Sequence, residues 1–508
     1  MCSISGIIGR RDSKNLKLMI SEQGHRAPDQ SGIFQEKDIN IGMGRLNIVD
    51  IKNRNLCPFI DNEIVISFNG EIFNYLELKK ILIDKGHKFK SKSDIEVLAK
   101  SWREWGYSMF DRINGMFAFA LLDIKKKKII LARDIAGEKP LYYYHKNNVF
   151  SFASEAKALK KIYDLKINKN KKFFNNFQHC LIDTLWKDLY EIPAAHYLEY
   201  NLDNKKVRIK EYWKLKKIKI FYNEVDDQFE ELLNNSIKLR TKTEVPYGLY
   251  YSKGVDSTLI WSLHNFKNKF YFNDSKNWKS EFNKKIPKIC YHLDFPVGSL
   301  SSFPLWKLAS MASKKVKVVL SGEGADEIFG GYVRYLPIAR EWELYKKFPS
   351  YYFLFSKFYP NFLEGFSKIT LRDKDPNYIK KLFEPIFNQF DDPINAMGYC
   401  DFKFVMPSLL QMGDRMASAF GIENRCPFLD KNIINFGFNL KPEYKIKNLN
   451  QKILLRNLLK KKNKLQFVEK EKKGLSIKFN QWFKRNDWDR SEYFKLLNKL
   501  WYKEFKVL

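Results

Sequence analysis

The six cysteines (Cys2, Cys57, Cys180, Cys290, Cys400, Cys426) never fall at C-x-x-C spacing, which argues against a disulfide framework or a structural zinc. The seven histidines form no H-x-H or H-x-x-x-H pair, so a histidine metal centre is not expected. The longest charge-free run, Phe295 to Trp306, is 12 residues, well short of the roughly 20 apolar residues of a membrane span. The opening "MCSISGIIGRRDSK" has no basic-then-apolar leader, and a cytoplasmic protein away from membranes is expected. Acidic residues are scarce beside basic ones, 58 against 90, an excess of 32. That excess is spread along the chain, with lysine runs only at 125–128 and 460–462. A nucleic-acid platform calls instead for basic residues interleaved with aromatics. The lysines therefore read as a solvated surface that attracts anions, and a nucleic-acid partner is not expected.

What is present is enough for several packed cores. The chain has 508 residues, 44% of them apolar, including 42 Phe and 27 Tyr, which suggests two or three domains. Residues 1–205 carry short β-branched or aromatic runs, such as "EIVISFNGEIFNY", "MFAFALLD" and "KKIILARD", separated by Gly, Asn and Asp turns. From about 221 the period changes: Val225, Phe229, Leu232, Leu233 and Ile237 fall at helical spacing. Two strand–loop–helix units follow, "VPYGLYYSKGVDSTLIWSL" and "KVKVVLSGEGADEIFGGY". Such units predict a parallel sheet with ligands at the strand C-termini. The remainder reads as amphipathic helices, and the boundary falls in the lysine-rich stretch 206–220, giving domains 1–208 and 209–508.

Several residues carry chemistry. A cysteine behind the initiator Met permits trimming of Met1, and a free N-terminal Cys2 then holds nucleophile and base on one residue. Asn69 and Gly70 offer a side-chain amide and a backbone N–H suited to an oxyanion, although Asn-Gly is equally a hairpin-turn signal. Arg45 and Asp94 suit the α-carboxylate and α-amine of an amino acid. Ser252 to Ser257, "SKGVDS", reads as a phosphate-cradling turn in which Lys253 stands where a second glycine would wrap more readily. "SGEGADEIFGGY" at 321–332 holds four glycines within ten residues, and its Asp326 and Glu327 suit magnesium beside phosphates. Acidic complementation of a helix dipole explains the two carboxylates but not the glycines.

"MCSISGIIG", "HRAPDQSG", "RLNIVD", "FNGEIFNY", "SDIEVL", "LARDIAGEKPLYYY" and "FASEAKAL" stand in the order seen in class II glutamine amidotransferases. With "SGEGADE", "QKILLRNLL" and "DRMASAFGIENRCPFLD", nearly the whole chain resembles the glutamine-hydrolysing asparagine synthetase family. The resemblance implies an α/β multi-domain fold: an Ntn-type αββα sandwich, then a parallel-sheet PP-loop synthetase domain with a helical C-terminal part. It implies that Cys2 attacks the side-chain amide of glutamine, that Asn69 and Gly70 hold the oxyanion, and that Arg45, Asn69, Glu71 and Asp94 bind the glutamine. In the second half it places Ser252, Lys253, Gly254, Asp256, Ser257, Ser321 and Gly322 around ATP and pyrophosphate, with Asp256 and Asp326 on Mg2+. Glu323 would face the reacting carboxylate or the attacking ammonia, and Lys452 would steady charge on the phosphates. The reaction implied is amidation of a carboxylate, most simply aspartate, through an acyl-adenylate with AMP and pyrophosphate released; a homodimer is a further expectation. The segments 414–430 and 470–483 read as scaffold.

Four positions depart from the family pattern. Ala27 replaces a glycine, Lys253 replaces the loop glycine, the stretch from Leu263 to Cys290 is short with Asp274 its one turn acid, and Phe295 replaces an acid. The last three cluster around the nucleotide and the acceptor. They leave open a relative that amidates another carboxylate, such as a sugar uronate, or one that keeps only glutaminase activity or partner binding.

Overall fold

The computed structural model describes residues 1–53, 55–167, 184–273, 278–294, 301–348, 362–370 and 376–469, with scattered positions from 496 to 505. Asp274, Phe295 and the segment 470–483 lie outside the described residues.

The first half is two stacked antiparallel sheets. One runs in the order β10 (Leu189–Glu191), β8 (Tyr142–Lys146), β9 (Val149–Ala153), β1 (Ser3–Ile8), β3 (Ile39–Arg45), β2 (Gln30–Glu36). The other runs β12 (Val207–Glu211), β11 (His196–Asn201), β7 (Lys128–Arg133), β6 (Gly115–Asp123), β5 (Ile64–Ile72), β4 (Phe59–Asp61). The helix Ser13–Glu22 covers β1 and β3, and the helix Asp94–Trp105 covers β5, while β1 and β3 pack on β5 between the sheets. This is the four-layer αββα order. It explains why β6, "GMFAFALLD", is apolar without alternation: it is covered on both faces and buried from Met116 onward. At the sheet margin β12 alternates half-buried and exposed residues, and its exposed Arg208 and Lys210 blunt the edge.

The second half is built on a four-stranded parallel sheet ordered β14 (Asn268–Phe270), β13 (Tyr247–Tyr250), β15 (Val318–Leu320), β16 (Glu423–Arg425). Its strands are three or four residues long and mostly buried. The helical spacing from Val225 is realised as Val225–Arg240, with Phe229, Leu233 and Ile237 inward. The helix Val255–Leu263 follows β13, and the five-residue helix Ala325–Phe329 follows β15. Both sequence loops therefore emerge side by side at the strands' C-terminal ends, where open parallel sheets place ligands.

The halves meet across a buried ionic seam. Arg26, from the loop after Ser13–Glu22, pairs with Glu155 at 2.8 Å and with both carboxylate oxygens of Asp414 at 2.8 and 3.2 Å. Asp414 and Arg415 lie on the helix Met406–Ser418 of the second half. Arg415 reaches Asp414 (3.1 Å), Asp294 (3.5 Å) and, in the first half, Glu155 (3.5 Å). Asp294 in turn accepts the backbone N–H groups of Ala156 (2.6 Å) and Lys157 (2.8 Å). Arg26, Glu155, Asp294, Asp414 and Arg415 are all buried, so none can exchange its partner for water. Arg415→Met should therefore cost roughly 3 kcal/mol of unfolding free energy, because Asp294, Asp414 and Glu155 lose a shared buried counter-charge and keep only their remaining partners. Urea unfolding measures this, and a loss under about 1 kcal/mol would mean the seam carries no stability.

Candidate active sites

Cys2 leads into β1, and the buried strand β5 brings Asn69 and Gly70 against it. The two residues are strand interior, not a hairpin turn: Asn69 pairs with Ala118 and Gly70 with Phe117. Gly70 has a φ of +148°, and a Cβ there would lie 2.1 Å from the Met116 carbonyl oxygen, so only glycine fits. The Cys2 N–H donates to Asn69 Oδ1 at 3.1 Å. Asn69 Nδ2 is buried and has no hydrogen-bond partner among the described residues. A buried donor left without a partner costs about 1–3 kcal/mol, and this one belongs to the side chain whose oxygen accepts the Cys2 N–H. Burial raises the Cys2 thiol pKa, and the nearby chain-terminal ammonium and Arg45 oppose that rise.

Cys2, Arg45, Gly70, Glu71 and Asp94 line one cavity. The N-cap Ser93 starts the helix that carries Asp94, its Oγ accepting the Ile95 N–H at 3.4 Å. Asp94 itself accepts the Ile72 N–H at 2.9 Å. Burial still lifts its pKa to about 6. Glu71 is raised further, by burial and then by the charge of Asp94. The Arg45 guanidinium donates to three loop carbonyls, Val49 (2.6 Å), Asn53 (2.9 Å) and Asp50 (3.2 Å). It braces the cavity's rim as well as charging it.

The second site follows the parallel strands. After β13, Ser252 N–H donates to Ser257 Oγ at 3.1 Å, the two hydroxyls meet at 3.0 Å, and the Gly254 N–H donates to Ser252 Oγ at 3.3 Å. Lys253 takes a φ of +60°, the left-handed region that a glycine adopts freely, and its ammonium lies 4.6 Å over the Tyr271 ring. Asp256 opens the helix Val255–Leu263, and Lys452 Nζ pairs with its two oxygens at 2.6 and 2.7 Å and with Asp326 at 2.6 Å. A Cβ on Gly331 would lie 2.0 Å from Asp326 Oδ1 and 2.2 Å from Lys452 Cε, and one on Gly322 would lie 2.9 Å from Asp256 Cβ. The glycines thus let the carboxylates close on one cation. Glu327 is turned away to the Tyr332 hydroxyl at 2.5 Å and is not part of this pair. Ser321 Oγ hydrogen-bonds Glu323, and Cys426 Sγ lies 3.6 Å from Ser321 Oγ and 3.8 Å from Glu323 Oε2.

Two carboxylates around one cationic centre fit a hard divalent ion completed by phosphate oxygens. Among the described residues no group of three or more His, Cys, Asp or Glu is placed to hold a metal.

Residues 1–213 match the family model of the glutamine amidotransferase domain, and residues 276–496 match that of asparagine synthase. A putative asparagine synthetase [glutamine-hydrolyzing] 2 of Methanocaldococcus jannaschii is 32% identical over 397 residues, 66% of this chain and 76% of that protein. The chain belongs to the glutamine-hydrolysing asparagine synthetase family. Asparagine synthetase [glutamine-hydrolyzing] 1 of Bacillus subtilis aligns along 97% of this chain and 89% of its own length at 28% identity. As a member of this family the protein is an enzyme that amidates a carboxylate with glutamine nitrogen and uses ATP.

The two sites of this family member are joined by a segment that reads in sequence as scaffold. β16 contributes Glu423 to the cavity around Cys2, and Arg425 pairs with Glu423 (2.9 Å) and with Glu71 (3.3 Å). One residue on, Cys426 touches Glu323 of the second site. Two charged residues inside the otherwise uncharged "GIENRCPFL" were the available signal. Arg26 was also missed: its Nε donates to the Cys2 carbonyl at 3.1 Å.

The backbone at Lys253 gives a direct test. Lys253→Gly removes about 1 kcal/mol of left-handed strain and adds a similar loss of unfolded-state restriction, leaving stability within about 1 kcal/mol. Lys253→Val should lose about 1–2 kcal/mol more, and equal urea midpoints for the two variants would show the position is not held left-handed.

Proposed function

We propose that the protein makes asparagine: residues 1–208 hydrolyse glutamine at Cys2, and residues 209–508 use ATP to activate the β-carboxylate of aspartate for attack by the ammonia released. The observation that carries the reading is the divided Asn69 amide. Its oxygen holds the Cys2 nitrogen, while its Nδ2 is buried with no hydrogen-bond partner among the described residues, as a donor kept for a tetrahedral oxyanion would be.

Trimming of Met1 turns the Cys2 nitrogen into an amine next to its own thiol, able to take the thiol proton and return it to the leaving ammonia. It also vacates the buried space that the Met1 side chain fills beside Lys139 Nζ (3.4 Å from its sulfur) and Arg26. Ammonia held in this dry interior stays unprotonated and nucleophilic on its way toward Glu323. Asp94 pairs with the α-ammonium of glutamine, and Arg45 offers its charge to the α-carboxylate. In the second site Ser252, Gly254, Ser257, Ser321 and Gly322 line the phosphates, and Lys253 extends the loop's positive charge. ATP supplies the activation, forming an acyl-adenylate with loss of pyrophosphate. Asp256 and Asp326 would hold Mg2+ there, Lys452 neutralises charge spreading over the phosphates, and Glu323 orients the acceptor or the incoming ammonia.

A second reading, amidation of another carboxylate such as a sugar uronate, is favoured by Phe295 in place of an acid. An acceptor screen that follows pyrophosphate release separates the two: release with aspartate supports asparagine synthesis, and release with a uronate alone overturns it. Cys2→Ala should abolish glutamine-driven synthesis and leave the ammonia-driven reaction within about twofold of wild type; loss of both would sink the two-site scheme. The sign of the pH effect at Asp94 is also set. Its pKa is raised to about 6, so below that pH it is protonated and cannot pair with an ammonium. The KM for glutamine should then rise up to about tenfold per unit as pH falls from 6 toward 4. A flat profile would remove Asp94 from glutamine binding.

A further inference from the structure

The wall of the cavity around Cys2 includes Leu46, Ile48 and Val49, from the loop that follows β3. Part of that loop is held from the first half: Arg45 donates to its carbonyls, and the Lys92 N–H donates to Asp50 Oδ2 at 3.0 Å. Further support crosses from the second half. Glu244, just ahead of β13, accepts the N–H of Asp50 at 2.9 Å on one carboxylate oxygen and that of Ile51 at 3.4 Å on the other. Its own N–H donates to the Ile48 carbonyl at 3.2 Å. Asp50 has a φ of +51°, and this left-handed step turns two successive N–H groups toward one carboxylate, a backbone nest for an anion. A second fastening stands beside the first. Asp29 Oδ2 accepts the Asn47 N–H at 2.7 Å and pairs with Lys317 Nζ at 2.7 Å. Lys317, just ahead of β15, donates its N–H to the Pro246 carbonyl at 3.1 Å, close in the chain to Glu244. Ile48 and Val49 also belong to the same buried apolar cluster as Phe229 and Ile237 of the second half.

We propose that Glu244 is a positioning residue for glutamine, supplied by the synthetase half, that clamps the loop 48–51 as one wall of the glutamine site. The proposal rests on the glutaminase reading above. A substrate that packs on Ile48 and Val49 meets a wall only as firm as the loop behind it. Every loop residue that must be ordered on binding weakens the affinity, and Glu244 does that ordering beforehand. Glu244 is exposed, so without it water takes over the two N–H groups; the loop is freed while the fold stays intact. Lys317 acts on the same loop at one remove, through Asp29. The clamp and the phosphate loop sit at opposite ends of β13, Glu244 before the strand and Ser252 after it. Glutamine affinity is thus set in part by a residue of the half that consumes the ammonia, without contact between that residue and the reacting atoms.

The test is Glu244→Ala in the full chain, with glutamine kcat and KM measured beside ammonia-driven pyrophosphate release. Glutamine KM should rise about five- to tenfold while kcat stays within about twofold, because the clamp serves binding alone. Ammonia-driven release should also stay within about twofold. Glu244→Gln keeps one acceptor oxygen for the Asp50 N–H and should recover part of the loss, with a KM about two- to fourfold above wild type. Lys317→Met, which loosens the second fastening, should raise KM about two- to fivefold with kcat again unmoved. A KM in Glu244→Ala indistinguishable from wild type overturns the proposal. So does a fall in kcat as large as the rise in KM, which is general damage to the site, or a parallel loss of ammonia-driven release, which is damage to the second half. A Gln variant as impaired as Ala overturns it too. A wild-type chain that hydrolyses no glutamine overturns the glutaminase reading and this proposal together; one that hydrolyses it, beside a Glu244→Ala chain of unchanged KM, overturns the proposal alone.

Discussion

The buried guanidinium of Arg26 is the contact on which the rest of the molecule depends. Its Nε holds the carbonyl of Cys2, and its terminal nitrogens hold Glu155 of the first half and Asp414 of the second. A single planar fork thus ties the Cys2 backbone to the interface between halves. In the low-dielectric interior a bare charge would be prohibitive, so the arginine enforces its own surroundings: two carboxylates and a carbonyl must arrive together. Arg415 repeats the logic one residue beyond Asp414, drawing Asp294 and the strand end at Ser154–Lys157 into the same network.

Around this fixed seam the two sites are only a short strand apart. Glu423 faces the cavity of Cys2, Arg425 clamps it to Glu71, and Cys426 touches Glu323. Because β16 pairs in parallel with β15, Glu423 lies level with Val318 at the strands' N-terminal ends, and Arg425, level with Leu320, lies at the end that launches the Ser321–Gly324 loop.

The residues whose chemistry is local were legible from sequence. Cys2 behind Met1, the strand-to-loop runs at 252–257 and 321–326, and the doubly buried strands each announce themselves within a dozen residues. The left-handed backbone at Lys253 was foreseeable too, since a glycine belongs at that place in the family pattern. What escaped depended on partners far away in the chain. Arg425 meets Glu71 across a separation of 354 residues, and nothing in "ENRCPF" says which acid it will find. Asn69-Gly70 carries the strongest local turn signal, yet nine consecutive pairings between β5 and β6 hold it as strand interior. Glu327 looks like a metal ligand by its place next to Asp326, but one residue's step, about 100° around the helix, points it at Tyr332 instead.

The span between Arg26 and Asp414, 388 residues, has a meaning during synthesis. The first half leaves the ribosome long before its ionic counterpart exists, at rates of roughly 5–20 residues per second. For that interval Arg26 and Glu155 have no Asp414 or Arg415 to complete their network, and the carbonyl of Cys2 hangs on an arginine not yet locked. The backbone around Cys2 therefore gains its full set of partners only when the second half has been made.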